Sequence, residues 1–403
     1  MRVVHCITGL QGDGAQRMLL RLAEGLQGRG IESVVMSMSP REPLADAFEA
    51  RGIRVFSLNV SPNVHGCLVI PQVRRLFNDL APDILQGWMY HANLMLTLVR
   101  PLLRRQVPVV WNIRRGTDDV QERKFLTRFV IRANAWLSSR ADRIVYCTPE
   151  SKQQHQALGF SRENGIVIGN GFNVDQFSHS REARRRMRER YCVAESDILI
   201  GNVGRDDSAK GRPYLVEAFA ELLKIVPNAR LMLVGRGMTE ANPELRRLLV
   251  SCGVASRVIL VGECSPISDM YSGLDILCSS SVAEGFPNVI GEAMCCEVPC
   301  VASDVGNAGG LLDGVGLVVS PRSATQLTQA LASLCREGRE CWRERGARAR
   351  ARISQVYSLE GAVDRYASLY REIVAGELVS GRLGRALAEG RLDSAGGVGA
   401  RGP

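Results

Sequence analysis

Short apolar runs separated by segments long enough for a helix, repeated along most of the chain, constrain this sequence more than any other feature. RVVHCIT, SVVMSM, VFSL, DILQGW, VPVVWNI, DRIVYCT and GIVIGN are strand-like, with helical patterns between them over 14–27, near 44 and 73, and over 92–104. Strands buried on both faces read as continuous apolar runs, and a helix between two of them returns the chain to a parallel neighbour. The pattern breaks at NGFNVDQF (170–177) and the basic run REARRRMRERY, and a second cycle then starts at DILIGNVGR. That cycle runs through RLMLVG, RVILVG, DILCSSS, PCVASD and GLVV, and closes with helices near 323–334, 341–354 and 358–374. The expectation is an α/β chain with two parallel sheets joined near residue 175. Ligands of open sheets bind beyond the carboxyl ends of the strands, so the cleft between two such units is the expected site. The Gly- and Ala-rich tail, 375–403, has little to bury and is expected to fray.

A chain of 403 residues with 45% hydrophobic content can bury more than one core. Its 12 Cys follow no metal-ligand spacing and many sit inside apolar runs, which reads as reduced thiols in a cytosolic protein. The apolar run in MRVVHCITGL is too short for a signal segment and reads as a first strand. No uncharged apolar stretch reaches the roughly 18 residues of a spanning helix. The net charge of +9 suits nucleic acid, an anionic membrane surface or phosphorylated ligands. Nucleic acid is excluded as a partner because no helix-turn-helix, zinc pattern or aromatic platform accompanies the charge. A nicotinamide site is excluded too, since GLQGDGAQR is not GxGxxG and SVVMSMSP ends without an acidic residue.

Within the first unit, Gly12 and Gly14 follow a strand and open a helix, which makes either a plain tight turn or a loop whose N–H groups approach a ligand. His91 and Asn93 follow DILQGWM, and Asn112 and Arg114 follow VPVVW, so all four are expected to line the cleft, with a satisfied structural histidine as the other reading of His91. In the second unit Arg205 and Lys210 lie just past a strand. They read as a diphosphate-neutralising pair or as solvated loop charge. The complement is VAEGFPNVIGEAM, where Glu284 and Glu292 stand eight positions apart around a turn. Phe286, Pro287 and Asn288 carry that turn into a helix whose first N–H groups are unpaired. The two carboxylates suit sugar hydroxyls, with structural capping as the alternative, and no His or Asp cluster at ligand spacing makes them a metal site. Finally, ERKFLTRFVIRANAWLSSR sets Arg123, Lys124, Arg128 and Arg132 beside Phe125, Phe129 and Trp136, a pattern for a membrane interface or for packing with a wet basic rim.

Taken in order, the GxGAQ-type loop, WMYHANL, WNIR, the VGR…KG pair, AEGFPNVIGEAM and ASDVGNAGG resemble the retaining nucleotide-sugar glycosyltransferases of GT-B architecture with an E-x7-E signature, glycosyltransferase family 4. The resemblance covers roughly residues 1–370. It implies two Rossmann-like domains facing across a cleft: 1–175 on the acceptor side, 176–357 holding the nucleotide sugar, and a helix at 358–374 bracing the first domain. It implies that Arg205 and Lys210 bind the donor diphosphate, that Glu292 takes the ribose hydroxyls and that Glu284 holds the transferred sugar beside His91. The loop of Gly12 and Gly14 would close over that sugar. No metal or other cofactor is implied, only a UDP- or GDP-sugar as co-substrate. The acceptor would be a glycan, a polyprenyl-linked sugar or a small hydroxyl compound, in cell-envelope or extracellular polysaccharide synthesis, in the cytoplasm or on the inner face of the membrane. The alternative is a catalytically weak nucleotide- or glycan-binding protein on the same fold. Three departures stand out: Cys264-Ser265-Pro266 where Arg and an Asp are expected, Glu297 where a helix should end in Gly, and Gly309 where an acidic residue usually follows DVGNA. Glu297 is tolerated there only if it avoids positive φ or bears its cost.

Overall fold

A computed structural model describes residues 1–58, 69–117 and 125–376. Arg123, Lys124 and the tail beyond Gly376 lie outside the described residues. The first half runs β1 (Arg2–Ile7), α1 (Gly14–Gln27), β2 (Glu32–Ser37), α2 (Leu44–Glu49), β3 (Arg54–Ser57), α3 (Ile70–Leu80) and β4 (Ile84–Trp88). It continues with α4 (Met89–Val99), β5 (Val109–Ile113), α5 (Phe125–Leu137), β6 (Arg143–Tyr146), α6 (Pro149–Ala157) and β7 (Gly165–Val167). The second half runs α7 (Arg181–Arg190), β8 (Ile198–Val203), α8 (Arg212–Leu223), β9 (Ala229–Val234), α9 (Pro243–Ser251), β10 (Val258–Gly262) and α10 (Ile267–Gly273). After it come β11 (Ile276–Ser279), α11 (Asn288–Cys295), β12 (Cys300–Ser303), α12 (Ala308–Leu312), β13 (Leu317–Val319), α13 (Ala324–Val356) and α14 (Leu359–Ala375).

The expected pair of parallel sheets is what the chain adopts. One sheet has seven strands in the order β3-β2-β1-β4-β5-β6-β7, the other six in the order β10-β9-β8-β11-β12-β13. Every pairing between these strands is parallel. Each sheet is covered on both faces, which is why VVHCI in β1 and ILCS in β11 are buried without alternation. Strand order reverses between β1 and β4 in one sheet and between β8 and β11 in the other. Loops leaving neighbouring strands at such a reversal diverge and open a crevice, so the β1, β4, β8 and β11 loops are those positioned to hold a ligand.

The last helix, α14, belongs to the core of the first sheet: Ala362, Val363, Tyr366, Ala367 and Tyr370 are buried with residues of α1 and β4. Asn112 Nδ2 donates to Tyr366 Oη (2.9 Å), Tyr370 Oη donates to Gln86, and Arg29 Nε donates to Asp364 (2.9 Å). The helix expected at 92–104 instead starts at Met89 and ends at Val99. Met89 holds a φ of 69°, which turns β4 sharply into the helix. The two helices expected at 323–334 and 341–354 form α13, broken at Gly338.

Glu297 bears the cost its position demands. The N–H of Glu297 donates to the Met294 carbonyl and that of Val298 to the Ala293 carbonyl, closing α11 with the pair of bonds of a Schellman motif. That motif puts its turning residue in the left-handed region, and Glu297 has a φ of 60°. A non-glycine residue held there costs about 1–2 kcal/mol.

Two histidines are built into the core as neutral groups. His155 is buried in α6, where Nδ1 donates to the Ser151 carbonyl (2.6 Å) and Nε2 faces Tyr90 Oη (2.8 Å). His5 is buried in β1 and accepts from Trp88 Nε1 through Nδ1 (3.4 Å). Burial lowers the pKa of His5 from 6.5 to about 3 and that of His155 from 6.5 to about 4. Both stay neutral in the native state while the unfolded chain takes up protons below 6.5, so the native state loses stability as pH falls from there toward the lowered values. Between pH 7 and pH 6 the pair should cost roughly 1 kcal/mol. Urea unfolding at the two pH values measures this, and a midpoint that does not fall would contradict it.

Candidate functional site

In the second unit the β8 and β11 loops are tied to each other before any ligand is considered. Val282 N donates to the Ala209 carbonyl (2.7 Å) and Ser280 Oγ to the Lys210 carbonyl (2.9 Å). Arg212, at the start of α8, is buried and clamps the first loop from below, donating to the carbonyls of Gly204 (2.7 Å) and Arg205. Lys210 Nζ donates to Glu284 Oε1 (2.5 Å), and Ser281 Oγ donates to the same oxygen (2.8 Å). Lys210 and Glu284 are 21% and 16% exposed, so the pair is largely enclosed yet still reachable from solvent.

Across the crevice, the β1–α1 loop meets this surface. Gly12 has a φ of 101°, a conformation that a side chain would strain, and its carbonyl accepts from Arg17 Nε (2.8 Å). Gln16 Oε1 accepts from the N–H of Asp13 (2.9 Å), fixing the start of α1. Asp13 then reaches the other unit, where its carboxylate accepts from Arg205 Nη1 (2.6 Å). Arg205 is also paired with Asp207 (3.0 Å). Burial works against its charge, but the Asp207 hydrogen bond and the charges of Asp13 and Asp207 outweigh it, so its pKa is raised. Asn288, at the start of α11, accepts from Asn170 Nδ2 (2.6 Å), and its amide lies where a side chain on Gly14 would press against it.

Glu292 sits in the second turn of α11 with both oxygens engaged. Oε2 accepts from Tyr271 Oη (3.0 Å) and Oε1 from Arg21 Nη2 (3.1 Å). Tyr271 is fully buried in α10, and burial followed by the neighbouring Glu292 charge raises its pKa well above the ordinary value.

The structure thus brings Gly12, Gly14, Arg205, Lys210, Glu284, Asn288 and Glu292 to the region where the two units meet. His91 lies half-buried in the first turn of α4, at the carboxyl end of β4. The expectation that Asn93, Asn112 and Arg114 offer their side chains to the cleft is corrected. Asn93 is fully buried against Gly87 of β4, and Asn112 is spent on Tyr366 of α14. The Arg114 guanidinium turns inward to the Ile168 carbonyl (2.6 Å), over the rings of Trp88 and Tyr366. Phe286 and Pro287 are buried as well, the Phe286 ring packing on Phe172 and Tyr357. What the turn offers the site is its backbone: Gly285 lets it pass so close to Arg114 that any side chain would strike the Arg114 carbonyl. Asp13, Arg21, Arg212 and Tyr271 were not legible as site residues. Asp13 carries an N-cap signal, but its partner lies in the other unit.

Outside the crevice, α5 buries Val130, Ile131, Asn134, Ala135 and Leu137 and turns its aromatic residues outward. Phe125, Phe129 and Trp136 are 77%, 60% and 78% exposed, with Arg132 exposed beside them and Arg140 over the Trp136 ring (5.9 Å). Among the described residues, no group of three or more His, Cys, Asp or Glu is arranged to hold a metal ion, and no helix is long and apolar enough to cross a membrane.

Comparison with known proteins accounts for both halves. Residues 13–171 match the glycosyl transferase 4-like domain and residues 197–337 the glycosyl transferases group 1 domain. Alpha-D-kanosaminyltransferase of Streptomyces kanamyceticus is 35% identical over 206 residues, 49% of this chain and 52% of that protein. Phosphatidyl-myo-inositol mannosyltransferase of Mycobacterium leprae is 26% identical over 376 residues, 89% of this chain and 93% of that protein. The chain spans about half the length of most of the curated relatives it matches. Among solved structures, Anabaena HepE in complex with UDP superposes with a TM-score of 0.81 at 22% identity, covering 92% of this chain and all (100%) of that one. WaaG, a glycosyltransferase of lipopolysaccharide biosynthesis, superposes with a TM-score of 0.70 at 19% identity, covering 93% of this chain and 100% of that one. With two matched domains in this order on two facing parallel sheets, the chain belongs to the group 1, family 4-type glycosyltransferases of GT-B fold.

Proposed function

We propose that this protein transfers a sugar, with retention of its anomeric configuration and without a metal, from a nucleoside diphosphate donor to a hydroxyl acceptor. The observation that carries the reading is the convergence of Arg205 and Lys210 with Glu284 and Glu292 on one crevice, opposite the loop of Gly12 and Gly14. On this reading, residues 176–357 hold the donor and residues 1–175 face the acceptor, with 358–374 bracing the first unit.

In the reaction the bond from the anomeric carbon to the β-phosphate oxygen breaks as the acceptor oxygen attacks from the same face. The proton of the acceptor hydroxyl passes to the leaving phosphate, so no protein base is required. Lys210 and Arg205 oppose the negative charge that grows on the diphosphate, the work a divalent cation would otherwise do. Glu284 accepts hydrogen bonds from the transferred sugar, with His91 beside it, and Glu292 accepts from the ribose. The start of α11, at Asn288, adds the positive end of a helix dipole to the field. Thermal unfolding in the presence of UDP- and GDP-sugars, followed by product analysis with glycan and polyprenyl-linked acceptors, tests the reading: a stabilising donor that is turned over supports transfer. Stabilisation with no turnover for any acceptor would instead favour a binding protein. The complex of HepE with UDP recommends uridine donors as the first to try. The names of the mannosyltransferase and of WaaG support an acceptor from the cell envelope.

The outward face of α5 supports a second part of this reading, that the protein works in the cytoplasm against an anionic membrane. Aromatic side chains exposed in line with Arg132 and Arg140 suit the boundary between acyl chains and anionic headgroups, and they lie on the unit assigned to the acceptor. Sedimentation with vesicles should require anionic lipid and weaken with salt. Equal recovery in the supernatant with and without anionic vesicles would point to a soluble acceptor.

A further inference from the structure

We infer that Arg21 is a positioning residue for Glu292, so that ribose recognition in one unit depends on a side chain supplied by the other. The inference rests on the assignment of Glu292 to the ribose. Glu292 sits in the second unit and is 12% exposed, yet one of its two oxygens is held by a guanidinium from α1 of the first. The other is held by Tyr271, which is fixed by burial within its own unit. Arg21 is itself constrained, 15% exposed, with its guanidinium 5.4 Å from the centre of the buried Phe177 ring.

An ionised carboxylate offers about four acceptor positions. Tyr271 and Arg21 take one on each oxygen, which leaves one on each for the two adjacent hydroxyls of a ribose. With Tyr271 alone, the carboxylate would be anchored at one oxygen and free to swing about that contact. With both, its plane is set. The same helix that carries Arg21 begins at the Gly12–Gly14 loop, so the contact between α1 and Glu292 is made only when the two units stand as they do here. A nucleotide that binds the oriented carboxylate therefore favours the arrangement that presents the loop to the sugar.

A different role for the same ion pair gives the opposite sign. Were Arg21 merely occupying Glu292 and competing with the nucleotide, removing it would tighten binding. The test uses UDP, with GDP in parallel, each compared with its 2′-deoxy counterpart by calorimetric titration into the full chain and its variants. In the wild type the 2′-deoxy form should bind more weakly. Arg21→Met should weaken the ribonucleotide by about tenfold, the effect of losing a hydrogen bond to a charged group, while barely changing the deoxy form, so the gap between the two narrows. Arg21→Lys keeps the charge without the planar fork and should fall between. In turnover, donor KM should rise with kcat little changed, and in the Glu292→Gln background Arg21→Met should add little. Tighter binding by Arg21→Met, or an unaltered gap between ribo and deoxy forms, would overturn the inference while leaving the donor site standing. An absent 2′-deoxy penalty in the wild type, or no binding of either diphosphate, would remove the ribose assignment and this inference together.

Discussion

Replacing Lys210 with Ala should lower transfer by about 10²-fold or more, and replacing Arg205 with Ala by a similar or smaller factor. On the proposed reading both cations stand where charge develops on the departing diphosphate, and such contacts are worth a few kcal/mol in the transition state. Their settings differ. Lys210 is the more enclosed and is paired with Glu284, so its loss also leaves that carboxylate with only the Ser281 hydroxyl among its observed partners. Arg205 is 40% exposed and shared between Asp13 and Asp207, so part of its charge is already screened. The loss from Lys210→Ala should appear mainly in kcat, since the interaction strengthens as the donor bond breaks. Steady-state rates with a saturating donor, on variants that melt cooperatively, are the check. Rates within about twofold of wild type for both would remove the cations from the chemistry.

Glu284 and Glu292 should separate kinetically, although they belong to one loop and helix. Glu284 shares its Oε1 with Lys210 and Ser281, and a sugar would meet its remaining acceptor positions next to the site of charge growth. Glu284→Gln keeps the shape but removes the charge from that contact and from Lys210, and should lower kcat by about 10²-fold. Glu292→Gln, at the far end of the turn and tied to Tyr271 and Arg21, should raise donor KM by about tenfold with a smaller change in kcat. Equal donor KM in wild type and Glu292→Gln would contradict the ribose assignment. An unchanged kcat in Glu284→Gln would contradict its place beside the sugar.

The strands were readable because a parallel strand covered on both faces is largely apolar, and the central residues of DILQGW, DILCSS and RLMLVG are. The clustering of Arg205, Lys210, Glu284 and Glu292 near strand ends was readable for a related reason: a polar residue just past a buried strand has few structural duties there. That same logic misplaced Asn112 and Arg114. Asn112 bonds to Tyr366, a residue 254 positions later on a helix that crosses back, and nothing near Asn112 in the sequence announces that partner. Arg114 is drawn inward by two aromatic faces and a backbone carbonyl, contacts that exist only once three separate segments are packed. The start of α4 was read late because Met89 enters the helix through a positive φ that a methionine does not advertise. Asp13 and Arg21 went unseen because the partner of each is in the other unit. Local sequence specifies a cap or an exposed helix position, while the closeness of the two units decides the contact.

The most direct test of the central claim is the anomeric configuration of the sugar in the product formed in the presence of EDTA, read from its proton coupling by NMR. The account predicts the configuration of the donor, at a rate that the chelator leaves unchanged. An inverted product, or activity lost with EDTA and restored by one divalent metal, would contradict it.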